Sequence, residues 1–245
     1  MISGHLVNME IHSGTVKAPL AKICGLCADV DVEASLDGGA AYLGFMLWPP
    51  SRRHISPANA GRLAIEARGR AKVVAVVVDA DDDWIDEIMR DLAPDILQLH
   101  GMETPERADE LKRRTGAGII RAVRIGSIED VAAARAFDDV ADHILYDALA
   151  PEGAVAPGGN GVTFDWSVTS AIPRGKPWFL AGGLNVGNVM DALRQTGAPL
   201  VDVSSGVESA PGCKDPFLIK EFLLKVRDSA SGATGANAYG EGFKT

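Results

Sequence analysis

The chain has 245 residues, 47% hydrophobic and 23% charged, a composition that suits one large globular domain. Its formal net charge of −9, without any Lys- or Arg-rich block, argues against a nucleic-acid partner. No apolar run approaches the ~20 residues of a membrane span, and no signal-peptide pattern is present. Three cysteines are too few for a disulfide framework. We therefore expect a cytoplasmic protein.

The two ends of the chain differ in composition from its middle. Residues 1–16 are mixed and aperiodic, and residues 228–245 are small, polar and glycine-rich. Such segments bury too little apolar surface to offset the entropy of ordering them. We therefore expect a flexible extension at 1–16, a folded domain at 17–227 and a disordered tail at 228–245.

Between these ends, short apolar runs alternate with stretches of helical spacing. In chain order the runs are LAKICGL, AYLGFML, KVVAVVV, DILQLHG, IIRAVRI, HILYDAL, PWFLAGGL and LVDVSSGV. Their high Val, Ile and Leu content is typical of parallel strands buried on both faces. The stretches between them, such as 57–70 and 82–93, carry apolar residues at i, i+3 or i+4, which predicts helices. Eight such units predict a single-domain α/β protein, a (β/α)8 TIM barrel, rather than an open doubly wound sheet.

In such a barrel the chemistry lies at the C-terminal ends of the strands. The strand-end residues here include a thiol, an arginine, a carboxylate that closes an apolar strand and two loops of small residues. The candidates are Cys24, residues 46–48 and 78–79, Gln98, His100, Arg124, Asp147, Gly182, Gly183, Ser204, Ser205 and Gly206.

The last two strand ends, AGGL and DVSSGVE, predict a phosphate site. Glycines let the backbone approach a ligand closely, and backbone N–H groups with the start of a short helix attract anions. In barrels this pair of loops often binds phosphate. The alternative is that Gly182 and Gly183 only turn the chain.

Three polar side chains have two interpretations each. Asp147 closes an apolar strand, so desolvation would raise its pKa and suit a general acid; equally, it could cap the next helix or pair with an arginine. Arg53, in the loop PPSRRHISP, could grip a carboxylate with two parallel hydrogen bonds, whereas Arg52 is expected to be a solvated surface charge. His100 fits a hydrogen-bonded wall of the site better than a catalytic base.

The pair Cys24 and Cys27 could be a redox pair, half of a metal site or one reactive thiol with a neighbour. A structural zinc site needs four ligands, and the other Cys and His residues show no second paired spacing. The eight-unit pattern is also the wrong context for a thioredoxin-like pair. Cys24 as a proton-abstracting base therefore remains, and we expect a small downward shift of its pKa to supply thiolate.

Motifs along nearly the whole folded part resemble those of the phosphoribosylanthranilate isomerase family. They are KICGL at 22–26, GF with SRRHIS at 44–56, LQLHG at 97–101, YDA at 146–148, GGNGVTFDW at 158–166, LAGGLNVGNV at 180–189 and VDVSSGVESAPGCKD at 201–215. The motifs occur in order, about one at each strand end, and the combination is specific although no single piece is.

The resemblance implies an Amadori rearrangement of a small molecule, N-(5-phosphoribosyl)anthranilate, without cofactor or metal. By this resemblance Asp147 is the general acid and Cys24 the general base, and their environments should shift the two pKa values away from their starting order. Arg53 would hold the anthranilate carboxylate. The remaining expected substrate contacts are Gln98, His100 and Arg124, with phosphate bound by Gly182, Gly183, Ser204, Ser205 and Gly206. The loop at 158–161 would close as a lid, and the protein would be a monomer or homodimer.

The sequence departs from the family pattern in a few places. Cys27 and Val30 replace the Thr and acidic residue of a helix-capping box, so we expect Asp29 to cap that helix. Asn160 replaces a Thr, and the SRR sequence leaves open whether Arg52 or Arg53 holds the carboxylate. The alternatives in function are indole-3-glycerol-phosphate synthase, the histidine-pathway isomerase, or a barrel that binds a sugar phosphate without turning it over.

Overall fold

A computed structural model describes residues 18–148, 166–173 and 175–230. Eight parallel strands close into a barrel, each pairing with the next and the last with the first. The strands are β1 (Leu20–Cys24), β2 (Tyr42–Met46), β3 (Lys72–Val77), β4 (Ile96–Leu99), β5 (Gly118–Ile125), β6 (His143–Ala148), β7 (Trp178–Ala181) and β8 (Leu200–Val203). The predicted (β/α)8 barrel is confirmed, and every predicted apolar run coincides with one of its strands, although β5 begins one residue before its run.

The helices surround this barrel. They are α1 (Asp29–Asp37), α2 (Pro57–Ala64), α3 (Asp82–Asp91), α4 (Pro105–Thr115), α5 (Ile128–Ala134), α6 (Val189–Thr196) and α7 (Pro216–Asp228). Short 3-10 helices lie at Ile65–Ala67, Arg135–Phe137, Trp166–Ala171 and Ser205–Val207, and a two-stranded hairpin, β9 (Glu208–Ala210) and β10 (Cys213–Lys214), follows β8.

The helix boundaries follow from local chemistry. The side chains of Ser56, Asp81 and Thr104 accept hydrogen bonds from backbone N–H groups at the starts of α2, α3 and α4. Helix α4 ends at Gly116, which has a left-handed φ of 71°. Such caps satisfy backbone groups that a helix end would otherwise leave without a partner.

The first helix does not start as expected. Its N-cap is Ala28, which makes no side-chain capping hydrogen bond. Asp29 is the first helical residue, and its carboxylate instead accepts a hydrogen bond of 2.7 Å from Arg62 in α2. The prediction that Asp29 caps α1 is therefore wrong: the carboxylate ties two exposed helix ends together.

Side chains alternate between two packed regions along the strands. On β3, Val73, Ala75 and Val77 belong to a large cluster between barrel and helices, whereas Val74 belongs to a smaller cluster inside the barrel. The same alternation places Ala21 and Ile23 of β1 toward the helices. Lys22 and Cys24, on the opposite face of that strand, therefore project into the barrel.

The domain boundaries remain predictions. The extension at 1–16, the lid at 158–161 and the tail from 231 onward lie outside the described residues. At the C-terminal boundary, α7 continues to Asp228, just past the expected limit of Arg227. Among the described residues, no helix is long and apolar enough to cross a membrane.

Two phenylalanines of helix α7 provide a test of how this helix packs against the barrel. Phe222 is fully buried and Phe217, on the same helix, is 84% exposed. Truncating Phe222 removes buried surface and leaves a cavity, so Phe222→Ala should lower the free energy of unfolding by about 3–5 kcal/mol. The matched variant Phe217→Ala should change it by less than about 0.5 kcal/mol. Urea denaturation of both variants measures the difference, and equal losses would contradict the packing described.

Candidate active site

A cavity of about 280 Å³ opens at the C-terminal ends of the barrel strands. Its walls include the thiol, the carboxylate, one arginine and both small-residue loops that the sequence singled out. The lining residues are Cys24, Met46, Arg53, Val76, Gln98, His100, Leu145, Asp147, Ala181, Gly182, Gly183, Leu184, Asp202, Val203, Ser204 and Ser205. Most of the candidate residues that the sequence identified therefore lie around one cavity.

Arg124 and Gly206 are the predicted substrate-contact residues that do not line this cavity, and the strand-end residues 47, 48, 78 and 79 lie outside its wall as well. Arg124 is exposed on β5, in register with Asp147 of β6. Gly206 acts through its backbone: a Cβ there would lie 1.8 Å from the Leu184 carbonyl oxygen. A glycine at 206 is thus what lets the loops after β7 and β8 approach each other.

The loop after β7 has backbone angles that favour glycine. Gly182 and Gly183 have φ values of 91° and 62°. The side-chain amides of Asn185 and Asn188 donate hydrogen bonds of 3.2 and 3.0 Å to the Gly183 carbonyl oxygen. These bonds fix the turn beside the 3-10 helix at Ser205–Val207, where an anion would meet backbone N–H groups.

Cys24 is buried, with a relative exposure of 6%. Burial raises the pKa of its thiol, and the positive charge of Lys22 opposes that rise without cancelling it. The expected downward shift of the Cys24 pKa is therefore wrong: removal of the thiolate from water outweighs the nearby cation. At neutral pH the isolated site holds a proton on this sulfur.

Asp147 has a pKa raised to about 6, first by burial and then by the negative charge of Asp202, while Arg124 acts in the opposite direction. The Nε2 atom of His100 lies 3.8 Å from its Oδ2. Burial lowers the pKa of His100, so this imidazole is neutral. A carboxyl group in this environment binds a proton far more readily than an exposed aspartate does.

His100 is oriented by Gln98. The Nε2 atom of Gln98 lies 3.1 Å from Nδ1 of His100. With the amide in this orientation Nδ1 accepts, and Nε2 carries the imidazole proton on the side of Asp147. The Oε1 atom of Gln98 is buried and has no hydrogen-bond partner among the described residues.

Arg53 is held by a carboxylate of the β9 strand. Its Nε and Nη2 atoms donate hydrogen bonds of 2.6 and 2.9 Å to Glu208. Lys214, nearly inaccessible, donates to the same carboxylate at 2.7 Å and to the Ser204 carbonyl oxygen at 3.0 Å. Burial alone would raise the pKa of Glu208, but these hydrogen bonds hold it at about 2. The two cations and Glu208 thus join Arg53 to the loop after β8.

Cys27 takes no part in the cavity wall. It is half-buried, packs against the outer hydrophobic cluster, and its Sγ lies 3.4 Å from the Arg53 carbonyl oxygen. All three cysteines are free. Among residues 18–148, 166–173 and 175–230, no group of three or more His, Cys, Asp and Glu side chains could hold a metal ion.

Sequence reasoning missed four charged residues around the site: Lys22, Asp202, Glu208 and Lys214. Lys22 is fully buried and pairs with Asp202 at 3.0 Å across β1 and β8. Both stand inside apolar strands, where a charged residue needs a partner. That signal was present in KICGL and LVDVSSGV, but the partners come from opposite ends of the chain and only the closed barrel joins them.

The fold and the cavity together define a (β/α)8-barrel protein whose strand ends place a thiol, a carboxyl group and an arginine around one cavity. The model of the N-(5'-phosphoribosyl)anthranilate isomerase family matches residues 21–225. The chain belongs to this family, and it is therefore an isomerase.

Individual relatives agree with this assignment. The N-(5'-phosphoribosyl)anthranilate isomerase of Mesorhizobium japonicum is 49% identical over 206 residues, 84% of this chain and 94% of that one. A crystal structure of phosphoribosylanthranilate isomerase with reduced 1-(o-carboxyphenylamino)-1-deoxyribulose 5-phosphate matches with a TM-score of 0.72 and 31% identity, covering 87% of this chain and 99% of that one. Monomers of the dimeric enzyme from Thermotoga maritima match with a TM-score of 0.71 and 30% identity over the same shares.

The raised pKa of Asp147 predicts a cost in stability. Because its folded-state pKa of about 6 lies above the usual aspartate value of 3.8, the cost is absent below about pH 4 and complete above about pH 6. Its side chain is 31% exposed, so solvent reduces the effect to about 1–2 kcal/mol. Asp147→Asn should therefore be more stable than the parent protein at pH 7 by this amount.

Urea denaturation at pH 7 and at about pH 4.5 measures this effect. The advantage of Asp147→Asn should shrink by more than half at the lower pH, where the parent carboxyl is protonated. Asp139→Asn, which changes an exposed carboxylate, is the matched control and should differ from the parent by less than about 0.5 kcal/mol at pH 7. An advantage that did not depend on pH would contradict the ionisation of Asp147 as its cause.

Proposed function

We propose that this protein converts N-(5-phosphoribosyl)anthranilate to 1-(2-carboxyphenylamino)-1-deoxyribulose 5-phosphate, a step of tryptophan biosynthesis. The observation that carries the proposal is the presence of Cys24 and Asp147 in one cavity whose wall also contains both small-residue loops and Arg53. The family match favours this reaction over those of other phosphosugar barrels. Two proton-transfer groups favour turnover over binding alone.

Asp147 is the general acid of the proposed reaction. Its carboxyl group donates a proton to the furanose ring oxygen, the C1′–O bond breaks, and the nitrogen lone pair forms the C1′=N bond of an iminium ion. A pKa of about 6 leaves roughly one carboxyl group in ten protonated at pH 7, far more than an exposed aspartate would hold, which favours Asp147 as a general acid. Asp147 is left as a carboxylate.

Cys24 is the general base of the second step. Its thiolate removes the C2′ proton, the electrons of that C–H bond form the C1′=C2′ bond, and the C1′=N electron pair returns to nitrogen. The resulting enolamine becomes the ketone by moving its C2′ hydroxyl proton to C1′. The iminium ion helps this step, because its positive charge acidifies the C2′ proton and stabilises the thiolate nearby.

The two ends of the substrate are anchored separately. Arg53 lies in the cavity wall with Nε and Nη2 bound to Glu208, and its guanidinium edge holds the anthranilate carboxylate. The loops with Gly182, Gly183, Ser204 and Ser205 bind the phosphate, with Gly206 allowing their close approach. Gln98 and His100 contact the ribose between them, and Arg124 acts from the rim on Asp147.

The rest of the proposal concerns the cofactor requirement, the cellular location and the oligomeric state. The reaction needs no cofactor or metal, because both proton transfers are made by side chains. We infer a cytoplasmic location from the free cysteines. The dimeric Thermotoga maritima relative supports a homodimer rather than a monomer for this chain as well.

Removing either proton-transfer group should abolish most of the activity. Cys24→Ser and Asp147→Asn should each lower kcat by about 10²-fold or more, because each proton transfer loses its acid or base. The decay of substrate fluorescence with freshly made phosphoribosylanthranilate measures the rate. Affinity for the reduced product analogue, measured by calorimetry, should change little because its phosphate contacts remain.

Cys27→Ser is the matched control for the thiol. Cys27 lies outside the cavity wall, so this variant should keep nearly the parental kcat. Parental activity in Cys24→Ser would refute the assignment of the base. A large loss in Cys27→Ser would instead revive a function for the cysteine pair.

The two adjacent arginines should differ in substrate binding. Arg53 lines the cavity, whereas Arg52 is exposed beside it. Charge-assisted hydrogen bonds contribute about 1.5–3 kcal/mol, so Arg53→Ala should weaken the reduced product analogue by about 10- to 100-fold. Arg52→Ala should weaken it by less than about twofold. Inorganic phosphate, which lacks the carboxylate, should bind both variants alike, and equal effects on the analogue would contradict the choice of Arg53.

A further inference from the structure

The proposed mechanism has an unmet requirement. It needs a proton on Asp147 and none on Cys24, but burial raises the pKa of the Cys24 thiol above that of a free cysteine, while the pKa of Asp147 is about 6. The resting site therefore places the proton on the wrong group. The mechanism therefore requires a feature of the protein that lowers the free energy of moving the proton from the Cys24 sulfur to the Asp147 carboxyl group.

Lys22 is placed to act on the sulfur. It precedes Cys24 by two residues on β1, so both side chains project into the barrel. A Cβ on Gly44, the residue paired with Cys24 in β2, would lie 3.0 Å from Cys24 Sγ and 3.1 Å from Lys22 Cε. The two side chains thus converge over the same glycine, which has no side chain of its own.

Asp202 keeps the Lys22 side chain charged. The residues are register partners on β8 and β1, with Nζ 3.0 Å from Oδ1 and Lys22 fully inaccessible. Burial alone would lower the pKa of Lys22, but Asp202 beside it, with help from Cys24, raises that pKa above its usual value. An ammonium ion is therefore buried next to the thiol at all physiological pH values.

The carboxylate of the same pair acts on the other group. Asp202 lines the cavity with Asp147, and its negative charge favours the protonated form of that carboxyl. Lys22 thus favours the deprotonated form of Cys24, and Asp202 favours the protonated form of Asp147. An ion pair that stabilises a thiolate at one end and a neutral carboxyl at the other favours the arrangement of protons that the reaction needs.

We propose that the buried Lys22–Asp202 ion pair lowers the free energy of moving the proton from Cys24 to Asp147: its ammonium stabilises the Cys24 thiolate, and its carboxylate favours protonated Asp147. Lys22 is then a positioning residue, since it acts through Cys24. The inference rests on the proposed function only for the roles of acid and base.

Other charged groups face the same atoms and do not replace the pair. Lys214 and Arg53 also act on the thiol, and Asp202 opposes Lys22 there, but Lys22 is the strongest of the charged groups that act on the sulfur. Arg124 and His100 lie on the other side of Asp147, and Arg124 opposes Asp202. The pair combines the strongest charge that lowers the Cys24 pKa, on Lys22, with the negative charge that raises the Asp147 pKa, on Asp202.

The test follows the thiol directly, without turnover. The background variant Cys27→Ser with Cys213→Ser leaves Cys24 as the single cysteine. The rate of iodoacetamide alkylation against pH then gives the pKa of Cys24, because only the thiolate reacts. Adding Lys22→Met should move this profile upward by at least one pH unit, and alkylation at pH 7.5 should slow by at least tenfold.

Turnover provides the second measurement. Lys22→Met should lower kcat at pH 7.5 at least tenfold and recover part of the loss at higher pH, where thiolate returns. Affinity for the reduced product analogue should stay within about threefold, which separates an effect on the thiol from damage to the binding site. Lys72→Met is the matched control: it removes a lysine from an exposed Lys–Asp pair of the same barrel and should leave the alkylation profile unchanged.

Two further variants keep the proposal open to refutation. If Lys22→Met leaves Asp202 unpaired and unfolds, the neutral double variant Lys22→Met with Asp202→Asn should fold and still show the raised Cys24 profile. In Asp202→Asn alone, the pKa of Asp147, followed by ¹³C NMR of the carboxyl carbon, should fall. A folded Lys22 variant with an unshifted alkylation profile would overturn the thiolate half of the proposal, and an unshifted Asp147 in Asp202→Asn would overturn the other half.

The failure of this proposal is distinguishable from failure of the proposed function. Full activity in Cys24→Ser would refute Cys24 as the base whatever its pKa. An unchanged alkylation profile would refute the influence of Lys22 even if Cys24→Ser were inactive.

Discussion

Inside the barrel the ammonium of Lys22 and the carboxylate of Asp202 lie 3.0 Å apart, and no part of the lysine reaches solvent. Neither charge could be buried alone, because an isolated ion in the protein interior costs far more than a domain can offset. The pair joins the first and last strands, β1 and β8, where the barrel closes. Closure and the electrostatics of the site therefore depend on the same contact.

A second set of ionic contacts joins the loops above the barrel. Glu208 binds both Arg53 and Lys214, and Lys214 also donates to the Ser204 carbonyl oxygen. Ser204 Oγ in turn donates a hydrogen bond of 3.1 Å to the Cys24 carbonyl oxygen. The proposed carboxylate anchor, phosphate loop and thiol are thus parts of one hydrogen-bonded network. Such a network holds its members in place before substrate arrives, which reduces the entropy lost on binding.

The buried titratable groups of the site lower the stability of the fold. A thiol and a carboxyl group are both kept from water, and burial raises the pKa of each. For the carboxyl this is useful, since an acid must hold its proton near neutral pH. For the thiol it opposes function, so a base at this position depends on the charges around it. The location of those charges matters more than the overall charge of −9.

The sequence by itself determined the eight-fold alternation, and with it the barrel. The Val-, Ile- and Leu-rich runs can be read locally because strand and helix spacing are properties of adjacent residues. Strand ends then identified Cys24, Asp147 and the small-residue loops, since parallel strands present their C-terminal ends on one face.

Tertiary structure alone decided the electrostatics. The sequence predicted a lowered pKa for Cys24 and a cap from Asp29, and both expectations were wrong because they were drawn from neighbours along the chain. Desolvation depends on everything that surrounds a group, and the partners of Lys22 and Arg53 lie 180 and 155 residues away. Charges separated so far in sequence meet only when the last strand pairs with the first, so no local pattern could show which of them would act on the thiol.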